Sequence, residues 1–301
     1  MTAPATVHGG FDTQEMNDVL RRACAAAGLD STDAQLLRGH TNAVVRLASD
    51  PVVVKIARRG SSRAGVERTV RFVSWLMELG FPTAPLHPVP EQPTVIDGHS
   101  VTFWTYLPQP QHPVAAEQIA PPLHALHQLT EPPEPLRELD NVAAIRASLR
   151  ATTSLPPATL NFLTRRLDAL EARLANVPFA LPRAIVQGDP QHRNALHHGG
   201  RAVLCDWDTV AEGQPEWDLV TIEIHCRRFG YGQEHYQAFA DSYGFDVTAW
   251  EGYSILRDLR ELRMITTNAR KSAQAPATLA EVERRIAGLQ NEDAGLQWNI
   301  L

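Results

Sequence analysis

The segment from Ile185 to Asp208 constrains this chain more than any other. It reads as a buried strand, a polar loop, a second short strand, a Gly-Gly turn, and a third strand ending on two carboxylates with a tryptophan between them. Short apolar runs bounded by turn residues suit buried strands. Gly199 and Gly200 supply the positive φ that a tight hairpin requires. Closing that hairpin gathers Asp189, Asn194, Asp206 and Asp208 at one end. The set contains no thiolate, and hard oxygen donors of this kind suit Mg²⁺ rather than zinc.

Composition limits what such a cluster can serve. A chain of 301 residues fits two lobes or one large domain. A formal net charge of −6 argues against generic nucleic-acid binding, which rewards clustered Lys and Arg. Cys24, Cys205 and Cys226 lie far apart and read as small buried hydrophobes in a reducing compartment. The first ten residues lack the basic and apolar regions of a signal peptide, and no apolar run approaches a membrane span. The expectation is a cytoplasmic protein without membrane or nucleic-acid partners, monomeric or homodimeric.

Upstream, Asp12 with Glu15 three residues later reads as a capping box opening a helix to Ala27, ended by Gly28. Three strands are expected between Ala34 and Ile56. In the third, Val52, Val54 and Ile56 share one face and Val53, Lys55 and Ala57 the other. A lysine inside a β-branched strand needs an anionic partner. Glu67 is the expected one, inside a helix from Arg63 to Leu79 whose stripe is Val66, Val70, Val73 and Met77. Asp97-Gly98 marks a hairpin between Thr94–Ile96 and Val101–Tyr106.

From Glu117 onward the periodicity is helical, with segments expected at 120–129, 141–149, 158–175, 217–228, 234–243, 248–269 and 279–289. His124 and His127 lie on one helix face and read as structural, since no third ligand accompanies them. His192 reads as solvated loop charge, and Asp218 as a helix N-cap.

Gly188-Asp189 followed by Asn194, Asp206-Trp207-Asp208 and Pro215-Glu216-Trp217-Asp218-Leu219 resembles the catalytic core of the aminoglycoside phosphotransferase family, small-molecule kinases with a protein-kinase-like fold. Gln187 stands where that family usually has histidine; glutamine can also hydrogen-bond the loop. The resemblance implies an α+β, two-lobed fold. Residues 1–107 would form an N-terminal antiparallel sheet with a helix, 104–110 the hinge, and 108–301 a mainly helical lobe with the catalytic loop, metal site and substrate pocket.

It implies a Mg²⁺-dependent transfer of the γ-phosphate of ATP or GTP to a hydroxyl of a small molecule, an antibiotic such as an aminoglycoside being one candidate. Alternatives are a metabolite kinase of the choline, homoserine or sugar type, and a silent nucleotide-binding protein of the same fold. Asp189 becomes the catalytic carboxylate; Asn194 and Asp206 become metal ligands. Lys55 paired with Glu67 would hold nucleotide phosphates. The turn at Gly39–Asn42, through Thr41 and Asn42, would cover them. Trp104, Thr105, Tyr106 and Leu107 would contact the base. Asp208, Glu223 and His225 are candidates for substrate contact. The arginine-heavy stretch from Arg257 to Arg270 does not suggest a pocket for a polycation.

Overall fold

Local chemistry sets the ends of the first elements. In this computed structural model, which describes residues 6–7, 11–39, 42–273 and 275–301, strands β1 (Thr6–Val7) and β2 (Phe11–Asp12) pair and lead into α1 (Thr13–Ala27). Asp12 caps α1 by accepting from the Gln14 and Glu15 amides, and Gly28 ends it in the left-handed region at φ 73°.

Strands β3 (Gln35–Gly39), β4 (Asn42–Arg46), β5 (Val52–Ala57), β6 (Thr94–Ile96) and β7 (His99–Thr105) form one antiparallel sheet in the order β3-β4-β5-β7-β6. On β5, Val52, Val54 and Ile56 are fully buried and alternate with half-buried Val53 and Lys55. With Val45 and Phe103 they pack against Val19, Leu20 and Ala23 of α1.

Helix α2 (Arg63–Glu78) buries Thr69, Val70, Phe72, Val73 and Leu76. This corrects the expected stripe, because Met77 is exposed. The buried face runs through Phe72, which packs on Trp207 with ring centroids 5.4 Å apart.

Helices α3 (Ala116–His127), α4 (Asn141–Ala151), α5 (Pro157–Leu174), α6 (Glu216–Arg228), α7 (Gln233–Tyr243), α8 (Tyr253–Ser272) and α9 (Leu279–Gln290) follow. Helix α6 is buried almost throughout, so it forms the core of the helical part rather than a surface element. The expected helix at 248–269 begins later, at Tyr253, after a 3-10 turn at Val247–Ala249. Between α5 and α6 lie β8 (Ala184–Val186), β9 (Ala195–His198), β10 (Arg201–Leu204) and β11 (Ala211–Gly213), paired as β8 with β11 and β9 with β10. Gly199 and Gly200 turn the β9–β10 hairpin at φ 56° and 77°.

The described residues divide into two compact units: residues up to His112 with Leu196–Asp208, and Pro113–Ala195 with Thr209–Leu301. The stretch 196–208 therefore packs with the sheet, although its place in the sequence puts it among helices. The Leu204 amide donates to Pro82 O, and the Ala84 amide donates to Leu204 O, each at 2.9 Å. No helix among the described residues is long and apolar enough to cross a membrane.

Candidate active site

In the sheet-bearing unit the chemistry gathers on Lys55. Its ammonium donates to Asp206 Oδ1 at 2.9 Å and Asp208 Oδ2 at 2.8 Å, with 19% of the lysine side chain exposed. Burial alone would lower the ammonium pKa; the two carboxylates overcome it and hold Lys55 above the ordinary lysine range. Both carboxylates reach one lysine because β10 stops at Leu204 and the chain turns sharply. Asp206 sits at φ 60°, a left-handed conformation that aspartate tolerates better than most residues. Trp207 between them is fully buried and donates from Nε1 to Thr83 Oγ1 at 2.9 Å, which anchors the turn. Asn42 Nδ2 donates to Asp208 Oδ2 at 3.4 Å, so the β4 candidate also lies in this cluster.

The expected Lys55–Glu67 pair does not form. Glu67 instead accepts from Arg63 Nε at 2.7 Å, one helical turn back, and Lys55 takes the strand-end carboxylates. Thr41 lies outside the described residues. The Thr105 amide donates to Pro85 O at 2.9 Å and the Tyr106 amide to Pro51 O at 2.7 Å, while Arg46 stacks 4.1 Å over the Tyr106 ring. Trp104 Nε1 donates to Thr102 Oγ1 at 2.9 Å, and Leu107 is buried with its carbonyl accepting from Gln109 Nε2 at 2.9 Å. The backbone amides of Thr105 and Tyr106 are thus engaged within their own unit.

In the helical unit, the loop after β8 is held from beneath by Asp218. This buried carboxylate accepts from the Gln187 amide at 2.7 Å and the Gly188 amide at 2.9 Å, and its Oδ2 lies 3.1 Å from His127 Nε2. His127 Nδ1 lies 2.7 Å from the Tyr243 hydroxyl. Asp218 is therefore a support for the loop, not the helix cap its position suggested, and His127 is structural as expected. Gly188 is required where it stands: φ is 83°, and a Cβ there would lie 2.6 Å from Thr209 O. Trp217 Nε1 adds a hydrogen bond to Gly188 O at 2.9 Å. Gln187 is buried and its Oε1 accepts from the Asp189 amide at 2.7 Å, so it holds the loop as glutamine was expected to do.

Asp189 is partly accessible, with 28% of its side chain exposed. Its Oδ1 is ion-paired to Arg260 Nη2 and its Oδ2 accepts from Gln191 Nε2 at 3.0 Å. Asn194 donates from Nδ2 to Asp189 O at 2.8 Å, which fixes the amide orientation and presents Oδ1. That Oδ1 is buried and has no hydrogen-bond partner among the described residues. An orphaned hard oxygen five residues from the loop carboxylate fits a ligand for a hard cation, as does the Asp206 carboxylate in the other unit.

Three expectations change here. His192 is buried, not solvated: its ring stacks on Tyr231 at 4.0 Å, and its Nε2 lies 3.0 Å from His235 Nε2. Burial and the neighbouring His235 push its pKa down to about 4. Glu223 is buried and pairs with Arg227 Nε at 2.8 Å, so it is a structural anion of α6. His225 is buried and stacks on Phe229 at 4.7 Å; burial, then the nearby Arg260, drive its pKa well down. Neither candidate is placed to present an open contact. The residues that local reading missed are Arg260 and the loop-supporting role of Asp218. Asp218 carried a signal, as a carboxylate in the first turn of an apolar helix. Arg260 carried none, since its partner lies far away in sequence.

The APH description, Phosphotransferase enzyme family, matches residues 33–259. No curated protein matches significantly. Solved structures of the same fold include choline kinase LicA from Streptococcus pneumoniae, 16% identical, covering 92% of this chain and 99% of that one with a TM-score of 0.68. Amicoumacin kinase hAmiN in complex with AMP-PNP, Ca²⁺ and Ami is 16% identical over 96% of each chain, with a TM-score of 0.70. Spectinomycin phosphotransferase in complex with ADP and spectinomycin is 16% identical over 91% of this chain and 93% of that one, with a TM-score of 0.63. The fold is protein-kinase-like, and family and neighbours together support a small-molecule phosphotransferase. With more than half its length matched and the loop, lysine and carboxylates disposed as described, the chain belongs to the phosphotransferase enzyme family.

Proposed function

We propose that the protein is a Mg²⁺-dependent O-phosphotransferase that moves the γ-phosphate of ATP or GTP to a hydroxyl of a small molecule. The observation that carries this reading is the lysine held by two strand-end carboxylates, Lys55 with Asp206 and Asp208. The sheet-bearing unit holds two carboxylates on one lysine, and the helical unit holds an orphaned amide oxygen near a partly accessible loop carboxylate; each set supports chemistry rather than binding alone. Phosphoryl transfer is mainly positioning and charge neutralisation, and these groups supply both.

In this reading Lys55 meets the nucleotide phosphates, with Asn42 at its side. Asn194 Oδ1 and the Asp206 carboxylate are the oxygens that would each serve as a metal ligand, and the metal would neutralise phosphate charge. Asp189 orients the acceptor hydroxyl. The hydroxyl oxygen forms the new P–O bond, the bond between γ-phosphorus and the β–γ bridging oxygen breaks, and the hydroxyl proton passes by way of Asp189 to solvent. Nucleoside diphosphate and the phosphate ester leave. Asp218 and Gln187 position Asp189 by holding the backbone on either side of Gly188.

The test is release of nucleoside diphosphate from ATP and GTP against hydroxylated acceptors, with and without Mg²⁺. Amino alcohols, aminoglycosides, other antibiotics and sugars belong in the panel, because the fold neighbours include choline and antibiotic kinases. Asp189→Asn is expected to lower turnover by roughly 10²–10⁴-fold while leaving Mg-nucleotide binding intact. Unchanged turnover removes Asp189 from its role.

A further inference from the structure

In the helical unit, α8 brings two arginines, Arg260 and Arg263, to the neighbourhood of Asp189. Arg260 places one guanidinium nitrogen on Asp189 Oδ1, while its buried Nε has no hydrogen-bond partner among the described residues. Its side chain is 6% exposed and lies 5.2 Å over the Trp217 ring, so it is a built part of the unit rather than a surface arm. One turn along α8, Arg263 makes no hydrogen bond or ion pair through its guanidinium among the described residues.

The acids of α8 are already committed elsewhere. Asp258 takes Arg166 at 3.2 Å and Arg257 at 2.7 Å, and Glu261 takes Arg227 at 2.9 Å and Arg228 at 2.8 Å. Asp189 is thus shared by Arg260 and the field of Arg263, with Arg137 and Arg270 adding like charge. Partial burial, then the repulsion of Arg260, Arg137 and Arg270, pull the Arg263 pKa down to about 10, with Asp189 opposing. A half-buried guanidinium in that position has no directly paired carboxylate among the described residues, and a planar fork is suited to an oxyanion.

We infer that the acceptor carries an anionic group, a carboxylate or a phosphate, which Arg263 binds with Arg260 beside it while the acceptor hydroxyl lies against Asp189. This rests on the phosphotransferase reading and names its substrate class. It also separates this chain from an enzyme for polycationic acceptors, which the same arginines repel. An arriving oxyanion competes with Asp189 for Arg260, and in doing so frees the carboxylate to meet the hydroxyl.

The test uses similar sugar derivatives that differ in charge: anionic gluconate and glucose 6-phosphate, neutral glucose and cationic glucosamine. Binding is measured first by calorimetry without nucleotide, on wild type, Arg263→Gln and Arg263→Lys. Gluconate, glucose 6-phosphate or both are expected to bind wild type more tightly than glucose and glucosamine, and which one binds identifies the oxyanion. Arg263→Gln should weaken that binding about tenfold or more, with partial recovery in Arg263→Lys. Tighter binding of glucosamine, absence of anion binding, or equal anion affinity in Arg263→Gln overturns the inference.

Nucleoside diphosphate release with the same set follows. Anion binding lost in Arg263→Gln but without turnover on any acceptor in either panel counts against the phosphotransferase reading, not against the anion site. Turnover that favours glucosamine counts against the anion site and leaves the phosphotransferase reading standing.

Discussion

Replacing Asp218 by asparagine isolates the support beneath the candidate catalytic loop. The carboxylate accepts three hydrogen bonds in a fully buried setting: Gln187 N at 2.7 Å and His127 Nε2 at 3.1 Å on one oxygen, and Gly188 N at 2.9 Å on the other. Asparagine keeps the shape but offers one oxygen and one NH₂ group. Turned either way, it sets the NH₂ against a buried backbone N–H, Gly188 in one orientation and Gln187 in the other. An unpaired buried donor costs about 1–3 kcal/mol, and replacing charge-assisted bonds by neutral ones adds about 1 kcal/mol. The expected loss is therefore about 2–4 kcal/mol, measured by urea unfolding at neutral pH. Hydrogen exchange should localise it, with the Gln187 and Gly188 amides losing protection before those of α3 or α8. A change below about 0.5 kcal/mol with both amides still protected would refute the argument, because the donors would have found other partners.

Two further outcomes follow from individual groups. Lys55→Met removes the ammonium that bridges Asp206 and Asp208, and Mg-nucleotide affinity should fall at least about tenfold by calorimetry; unchanged affinity dismisses the phosphate-binding role. Glu281 is 7% exposed; burial opposes its ionisation, but hydrogen bonds from Arg284, Arg285, the Asn299 amide and the Asn299 side chain outweigh that and lower its pKa to about 2 from 4.5. A depressed folded-state pKa means the stabilisation is full above pH 4.5 and fades as pH falls toward 2. It amounts to about 3 kcal/mol. Glu281→Gln should flatten that part of the acid limb in denaturation measured from pH 5 to pH 2, and an unaltered limb contradicts the assignment.

Much of this architecture is legible locally, for identifiable reasons. The α1 cap, the Asp97-Gly98 and Gly199-Gly200 turns, and the alternation along β5 depend on neighbours in sequence, and the structure carries all of them. The requirement for glycine at 188 is not local in this sense, because the atom that enforces it, Thr209 O, comes from a later part of the chain. The helical stripe of α2 holds at Val70 and Val73 but not at Met77, because periodicity cannot say which flank meets aromatic neighbours; Phe72 turns inward, where it packs on Trp207.

Charge pairing is where local reading stops. Lys55 was bound to need an anion, since an ammonium inside a β-branched strand must be compensated. Sequence distance favoured Glu67, yet Glu67 had an arginine one turn away and the lysine took Asp206 and Asp208. Glu223 and His225, attractive by their nearness to the metal motif, are consumed by burial and by Arg227.

By itself the sequence determined the inventory: a loop carboxylate, an amide and two strand-end carboxylates in hairpin spacing, and a lysine that could not stand alone. Only the tertiary structure decided the partners, because an ion pair or a buried hydrogen bond depends on which elements meet, not on which residues are adjacent. It set Asp218 under the loop, left Asn194 Oδ1 without a hydrogen-bond partner among the described residues, and placed Arg260 on Asp189. Those long-range contacts carry the choice between a cationic and an anionic acceptor, because the arginines that bear on it come from another helix.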